Sequence, residues 1–165
     1  MKYIKLICLS FILLLTSCGE ERSSNQESQS TTTTQSRGNY PKEVSLELNS
    51  NDQMRYDKLL LRVKAGQEVT LTLNHTGEQP KNLMGHNFVL LKKGTDVDQF
   101  ASKAVVAIEN DYIPADTEAV IVHTKMIGGG ESTTVTFDAP AKGSYDYLCS
   151  FPGHHGLMRG KFIVE

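Results

Sequence analysis

From residue 44 to residue 164 the chain is cut into short runs in which every second side chain is apolar. Val44, Leu46 and Leu48 alternate with polar neighbours, as do Leu59, Leu61 and Val63, and then Val69, Leu71 and Leu73. Further runs cover residues 88–91, 119–123, 133–137, 145–149 and 161–164. A period of two places the apolar set on one face of a strand. Turn signals such as Ala65-Gly66, Thr76-Gly77, Gly128-Gly129-Gly130 and Lys142-Gly143 separate the runs. About eight strands at this spacing predict an all-β antiparallel sandwich, in which two sheets bury their apolar faces against each other. One stretch breaks the period. Val97, Phe100, Ala101, Ala104, Val105 and Ile108 recur at helical spacing, with Asp96 or Thr95 placed to cap the start and Pro114 beyond the end. This predicts one short helical insertion outside the sandwich.

The chemistry concentrates near the C-terminus, in Cys149-Ser150-Phe151-Pro152-Gly153-His154-His155-Gly156-Leu157-Met158. A thiol, imidazole and a thioether fall within one Pro- and Gly-containing loop. Soft sulfur donors with imidazole suit copper, and Cys with two His in a plane and a weak axial Met is a blue-copper arrangement. Zinc fits less well, because Met is not among its usual ligands. The loop supplies three of the four donors, so another imidazole must come from elsewhere. His86 is the candidate. It shares its register with Phe88 and Leu90, which points it inward, and a buried imidazole needs a partner such as a metal.

These residues resemble the azurins, small bacterial blue-copper proteins. The matching segments are Asn51-Asp52-Gln53-Met54, Pro80-Lys81-Asn82-Leu83-Met84-Gly85-His86-Asn87, His123-Thr124-Lys125-Met126-Ile127-Gly128, Val135-Thr136-Phe137-Asp138 and Cys149-Ser150-Phe151-Pro152-Gly153-His154. They are spread over residues 42–165. Cys, four residues, His, three residues, Met is the azurin spacing, and it favours His154 over His155 as the ligand. The resemblance implies an eight-stranded Greek-key, cupredoxin-like sandwich binding one type-1 copper ion. His86, Cys149 and His154 would form the trigonal plane. Met158 would sit at one axial position and the Gly85 carbonyl, weakly, at the other. Asn87 and Phe151 match positions whose backbone N–H groups donate to the thiolate, and His75 matches a nearby histidine that does not bind metal. Two departures stand out. The positions of the usual azurin disulfide fall near Val44 and Gly66-Gln67, which lack Cys, and Gln79 is polar where the azurin docking face is apolar.

The N-terminus carries a different set of signals. Met1 to Lys5 supplies positive charge, Leu6 to Leu15 is apolar, and Leu15-Thr16-Ser17-Cys18 closes the segment. The apolar run is shorter than the roughly 20 residues of a spanning helix. It reads as a secretory signal of the lipoprotein type over residues 1–17, with Cys18 as the lipidated residue. The alternative is ordinary cleavage with Cys18 incidental. Residues 18–39 are rich in Ser, Thr, Gln, Asn and Glu, which predicts a disordered tether ahead of a copper domain at 40–165. Of three cysteines, Cys149 alone falls in that domain.

Residues 40–165 hold 13 Lys and Arg against 16 Asp and Glu, a net charge of −3. This weak charge argues against a nucleic-acid partner. The reading is a non-enzymatic electron carrier of the cell envelope, periplasm-facing or on the outer membrane. It would be monomeric and meet redox partners such as cytochromes or copper enzymes in transient complexes. A copper-binding or copper-delivery lipoprotein is the alternative. Leu83, Met84, Pro152 and Gly153 are the expected partner face. Leu83, Met84, Phe151 and Pro152 ring His154, whose ring edge is expected at the surface. His75 reads either as a hydrogen-bonded core histidine or as a pH-sensitive one. His123 reads as a surface or packing residue.

Overall fold

The computed structural model describes residues 40–165. The expected signal segment, Cys18 and the tether lie outside the described residues. Among the described residues, nine strands form two sheets. Those of the first are β1 (Glu43–Asn51), the two-residue β2 (Arg55–Tyr56), β4 (Glu68–His75) and β7 (Ser132–Asp138), in the order β2-β1-β4-β7. Those of the second are β3 (Leu60–Val63), β5 (Val89–Leu91), β6 (Val120–His123), β8 (Gly143–Leu148) and β9 (Arg159–Val164), in the order β3-β9-β8-β5-β6. The eight expected runs are all strands, and β2 adds a short hairpin partner to β1.

The expected antiparallel sandwich needs one correction. β1 pairs with β4 in parallel, and so does β3 with β9. After the β1–β2 hairpin the chain crosses to the other sheet for β3 and returns for β4, so β1 and β4 run the same way. Alternation reports which face is buried and is blind to strand direction.

Between the sheets lie Leu48, Leu61, Val63, Val69, Leu71, Leu73, Phe88, Leu90, Tyr147 and Phe162, all buried. Each such large apolar side chain contributes about 1.5–3 kcal/mol of burial free energy. β5 is buried on both faces. Phe88 and Leu90 join the central core, while Val89 and Leu91 pack under Phe100, Ala101 and Ala104 of helix α2 (Val97–Ala104). This explains why residues 88–91 are continuously apolar where other strands alternate. α2 is the expected insertion, and Asp96 caps it by accepting from the Gln99 N–H at 3.0 Å. A single-turn helix, α1 (Lys81–Met84), and a 3-10 turn at Ile108–Asn110 were not apparent from periodicity, since each is about one turn long.

At the positions of the missing disulfide, a buried side chain makes a polar tie. Gln67 accepts from the Lys64 N–H at 2.6 Å and donates to the Pro41 carbonyl at 2.8 Å. It holds the entry of β1 against the turn before β4.

Candidate metal centre

Three segments meet at one end of the sandwich. The first is Met84-Gly85-His86-Asn87, between α1 and β5. His86 sits in an isolated antiparallel bridge with Ile127, exchanging two backbone hydrogen bonds of 2.9 Å. This fixes the His86 backbone against the 124–128 connection, and the residue is fully buried, facing inward as expected. The second is the loop after β8. The Cys149 N–H donates to the Met158 carbonyl at 2.9 Å, the His154 N–H to Phe151 at 3.0 Å, and the Met158 N–H to His154 at 2.8 Å. Gly153 takes a left-handed φ of 82° within the loop, which a side chain would strain. The third segment is the 124–128 connection that carries Ile127.

One donor atom each from His86, Cys149 and His154 lies within 4.8 Å of the others, and all three residues are buried. Cys149 Sγ is 3.9 Å from His86 Nδ1 and 3.7 Å from His154 Nδ1. His86 Nε2 lies 2.9 Å from the Asn51 carbonyl. A carbonyl only accepts, so Nε2 carries the proton and Nδ1 turns a lone pair toward the sulfur. The Gly85 carbonyl is 3.7 Å from the same sulfur. A Cβ at Gly85 would fall 2.5 Å from the Lys81 carbonyl oxygen and 3.0 Å from the Met126 side chain, so this approach requires glycine.

Burial sets the protonation of the donors. It lowers His86 to about 4, opposed by the hydrogen bond to Asn51. It lowers His154 to about 4 as well, helped by the neighbouring His86 and His75. Both rings are therefore neutral and able to donate a lone pair at neutral pH. Burial pushes the Cys149 thiol up to about 12, while N–H donation from Asn87 and Phe151 works the other way. Those are the two residues that the azurin resemblance places beside the sulfur. A metal ion would replace the thiol proton. Two neutral imidazoles and a sulfur converging in a buried cluster fit a soft-to-borderline ion such as copper.

The remaining residues fall as follows. Met158 is fully buried in the central core. Leu83 is 63% exposed, Met84 and Pro152 are half-buried, and Gly153 is exposed. His154 is only 3% exposed, so its ring is nearly covered where an exposed edge was expected. Phe151 accounts for part of the cover, with its ring centroid 4.6 Å from that of His154. His155 is half-buried, with Nε2 3.5 Å from the Asp98 carboxylate of α2, and turns away from the donor cluster. His75 is a satisfied core histidine. It accepts from the Gly77 N–H at 3.1 Å, donates to the Met84 carbonyl at 2.9 Å, and stacks on His86 at 4.2 Å. His123 is exposed.

Several contributors had no signature in the sequence. The Asn51 carbonyl sets the His86 tautomer. Asn87 accepts from the Ser150 N–H at 2.9 Å and donates to Ser150 Oγ at 2.8 Å, tying two donor-bearing segments together. Asp111 reaches the same group of residues. Backbone acceptors and side-chain ties between distant segments leave no periodic trace.

The fold and this cluster define a copper-binding β-sandwich. The family model "Copper binding proteins, plastocyanin/azurin family" matches residues 42–165, and the chain belongs to that family. Its cofactor is one type-1 copper ion. Outer membrane protein H.8 of Neisseria gonorrhoeae is 47% identical over 119 residues, which cover 70% of this chain and 64% of that protein. The chain thus spans less than two thirds of the length of that relative. Azurin of Bordetella pertussis is 42% identical over 123 residues, covering 72% and 81% of the two chains. Among solved structures, an azurin (Az-iso2) from Methylomonas sp. strain J is 37% identical with a TM-score of 0.67, covering 73% of this chain and 97% of that one.

Proposed function

We propose that this protein is a blue-copper electron carrier of the bacterial cell envelope. The observation that carries the reading is the convergence of His86, Cys149 and His154 donor atoms within 4.8 Å in a buried pocket. Bound copper supplies one-electron redox chemistry between its two oxidation states. His86 through Nδ1, Cys149 through Sγ and His154 through Nδ1 would hold the ion, and Met158 and the Gly85 carbonyl would be weaker donors to it. The role of the chain is to hold these donors still. His86 is anchored by its bridge to Ile127 and its bond to Asn51, and the Cys149 loop is closed on itself. A frame fixed before metal arrives keeps reorganisation on electron transfer small. The Asn87 and Phe151 N–H groups place partial positive charge at the sulfur and help set the potential.

Cupredoxins are electron carriers, and copper held by His86, Cys149, His154 and Met158 would keep no open position for a substrate, which supports a carrier and not an enzyme. Its partners are redox proteins met in transient complexes at the face containing Leu83, Met84, Pro152 and Gly153. Residues 1–17 serve as a lipoprotein signal, Cys18 carries the lipid, and 18–39 tether the copper domain at 40–165. The Leu-x-Ser-Cys pattern supports this arrangement. Likeness over 119 residues to proteins named for the outer membrane supports placement in the cell envelope. Two acyl chains suffice for stable anchoring.

The test is optical. Copper(II) added to the purified domain should give an intense blue band from sulfur-to-copper charge transfer, and Cys149→Ser should lose it while remaining folded by circular dichroism. Copper binding without such a band in the wild type would overturn the blue-copper reading.

A further inference from the structure

The 3-10 turn after α2 ends in a feature that the copper donors do not explain. Asp111 and Tyr112 are consecutive non-glycine residues with left-handed φ values of 51° and 59°. Asp tolerates this conformation because its short polar side chain bonds locally, but an aromatic residue does not take it up readily. The turn is held by the Tyr112 N–H donating to Ala107 at 2.9 Å and the Asn110 side chain donating to Ile113 at 2.7 Å, with Ile113 buried under α2.

Its polar groups are turned toward all three segments of the metal centre. The Asp111 carbonyl accepts from Asn87 Nδ2 at 3.2 Å and from Ser150 Oγ at 3.4 Å. Its carboxylate Oδ2 accepts from the Met126 N–H at 3.1 Å. Met126 precedes Ile127, the bridge partner of His86, and its side chain lines the space beside Gly85. The Tyr112 ring meets the Phe151 ring edge-on at 5.3 Å, and Phe151 in turn covers His154. One strained turn therefore contacts the His86 segment, the Cys149 loop and the connection carrying Ile127. Helix α2 also reaches the Cys149 loop, through Asp98 at 3.5 Å from His155 Nε2, and the turn is the part that joins all three segments.

We propose that Asp111 is a positioning residue for the copper site. Its left-handed turn fixes the separation between Asn87 and Ser150, and its carboxylate fixes the Met126–Ile127 strand against them. Together these hold the Asn87 and Phe151 N–H groups at the Cys149 sulfur and the His86 ring at its bridge. The helical insertion thus acts as a brace on the metal site from outside the sandwich. The inference rests on the blue-copper reading only for the optical part of its test.

Three variants separate the roles of the turn and of the carboxylate. Asp111→Asn keeps an acceptor and tolerance for left-handed φ. Asp111→Gly keeps the turn and loses the acceptor. Asp111→Ala loses both. In the copper-free protein, hydrogen exchange should speed up at the amide of Met126 in Asp111→Gly, and at Met126 and Ser150 in Asp111→Ala. The increase should be roughly five- to tenfold, the loss expected for one hydrogen bond. Strands remote from the site should exchange as in wild type. In the copper-loaded protein, the charge-transfer band and the reduction potential should shift in Asp111→Ala, shift less in Asp111→Gly, and return to wild type in Asp111→Asn. Exchange that rises evenly through the domain, or at the named amides without any change in band and potential, would overturn the positioning role. So would wild-type behaviour of all three. If Asp111→Ala does not fold, the Gly and Asn pair decides on the same readouts. A wild type that binds copper without colour would count against the copper reading alone, and the exchange pattern would still decide whether Asp111 braces the segments.

Discussion

Asn87 and Ser150 are joined by two hydrogen bonds, the Ser150 N–H to Asn87 Oδ1 at 2.9 Å and Asn87 Nδ2 to Ser150 Oγ at 2.8 Å. Both residues are buried, and they directly follow His86 and precede Phe151, on either side of the sulfur. This pairing ties together the segments that carry His86 and Cys149. Asn87→Leu keeps the volume and removes both bonds, leaving the Ser150 N–H buried without its acceptor. A stranded buried donor costs about 1–3 kcal/mol. The variant should lose about 2 kcal/mol in denaturant titration of the copper-free domain, at unchanged m-value. Wild-type stability would show that water or relaxation replaces the pair.

Acid should destabilise the copper-free protein over a defined window. His86 and His154 are each lowered from an ordinary 6.5 to about 4 by burial. Between those values the unfolded chain binds protons that the native state does not, so stability rises with pH there. The contribution is complete above about pH 6.5 and is lost progressively as pH falls toward 4. Denaturant melts at fixed salt from pH 8 to pH 4 check this. Bound copper occupies the same lone pairs, so the loaded protein should hold its stability to lower pH than the copper-free form. A flat profile in the copper-free protein would mean that the rings are protonated in the fold without penalty.

The axial position is tested by Met158→Leu. Met158 is fully buried and its backbone closes the ligand loop, so an apolar side chain of similar volume should leave the fold intact. Removing a weak sulfur donor favours copper(I). The blue band should persist and the reduction potential, read by voltammetry, should rise. An unchanged potential would place the thioether out of reach of the metal.

What could be read from the sequence follows from how locally each feature is encoded. The strands were legible because a period of two directly reports which side chains face the core, as Val69, Leu71 and Leu73 do. Cys149 and His154 were legible because their spacing lies within one loop. His86 was legible through its register with Phe88. Strand direction was not, because β1–β4 and β3–β9 owe their parallel pairing to crossings between sheets that alternation does not record. The Asp111 turn was not legible either. Nothing in Asn110-Asp111-Tyr112 announces two left-handed residues, since the conformation is imposed by packing of Ile113 under α2 and by acceptors far away in sequence. Part of the cover over His154 is the Phe151 ring, 4.6 Å from it and itself in edge contact with the Tyr112 ring, a contact between segments that leaves no local trace.

That cover bears on how electrons reach the site. His154 is 3% exposed, so a partner must approach closely over its neighbours instead of touching a free ring edge. Leu83, 63% exposed on the single-turn helix α1, is the most prominent apolar side chain of the expected partner face. The domain's charge of −3 gives little long-range attraction, so apolar contact must supply most of the encounter. Redox complexes of this kind bury below about 1,200 Å² in total, and one charge within so small a patch weighs heavily. In self-exchange two copies present the same face, and Leu83→Lys would set two ammonium groups against each other at the contact. The electron self-exchange rate, from NMR line broadening in mixtures of oxidised and reduced protein, should fall at least about tenfold at low ionic strength and recover partly with salt. The visible band and potential should stay as in wild type, because Leu83 lies outside the donor set. A self-exchange rate equal to wild type at low salt would show that electrons leave through another face.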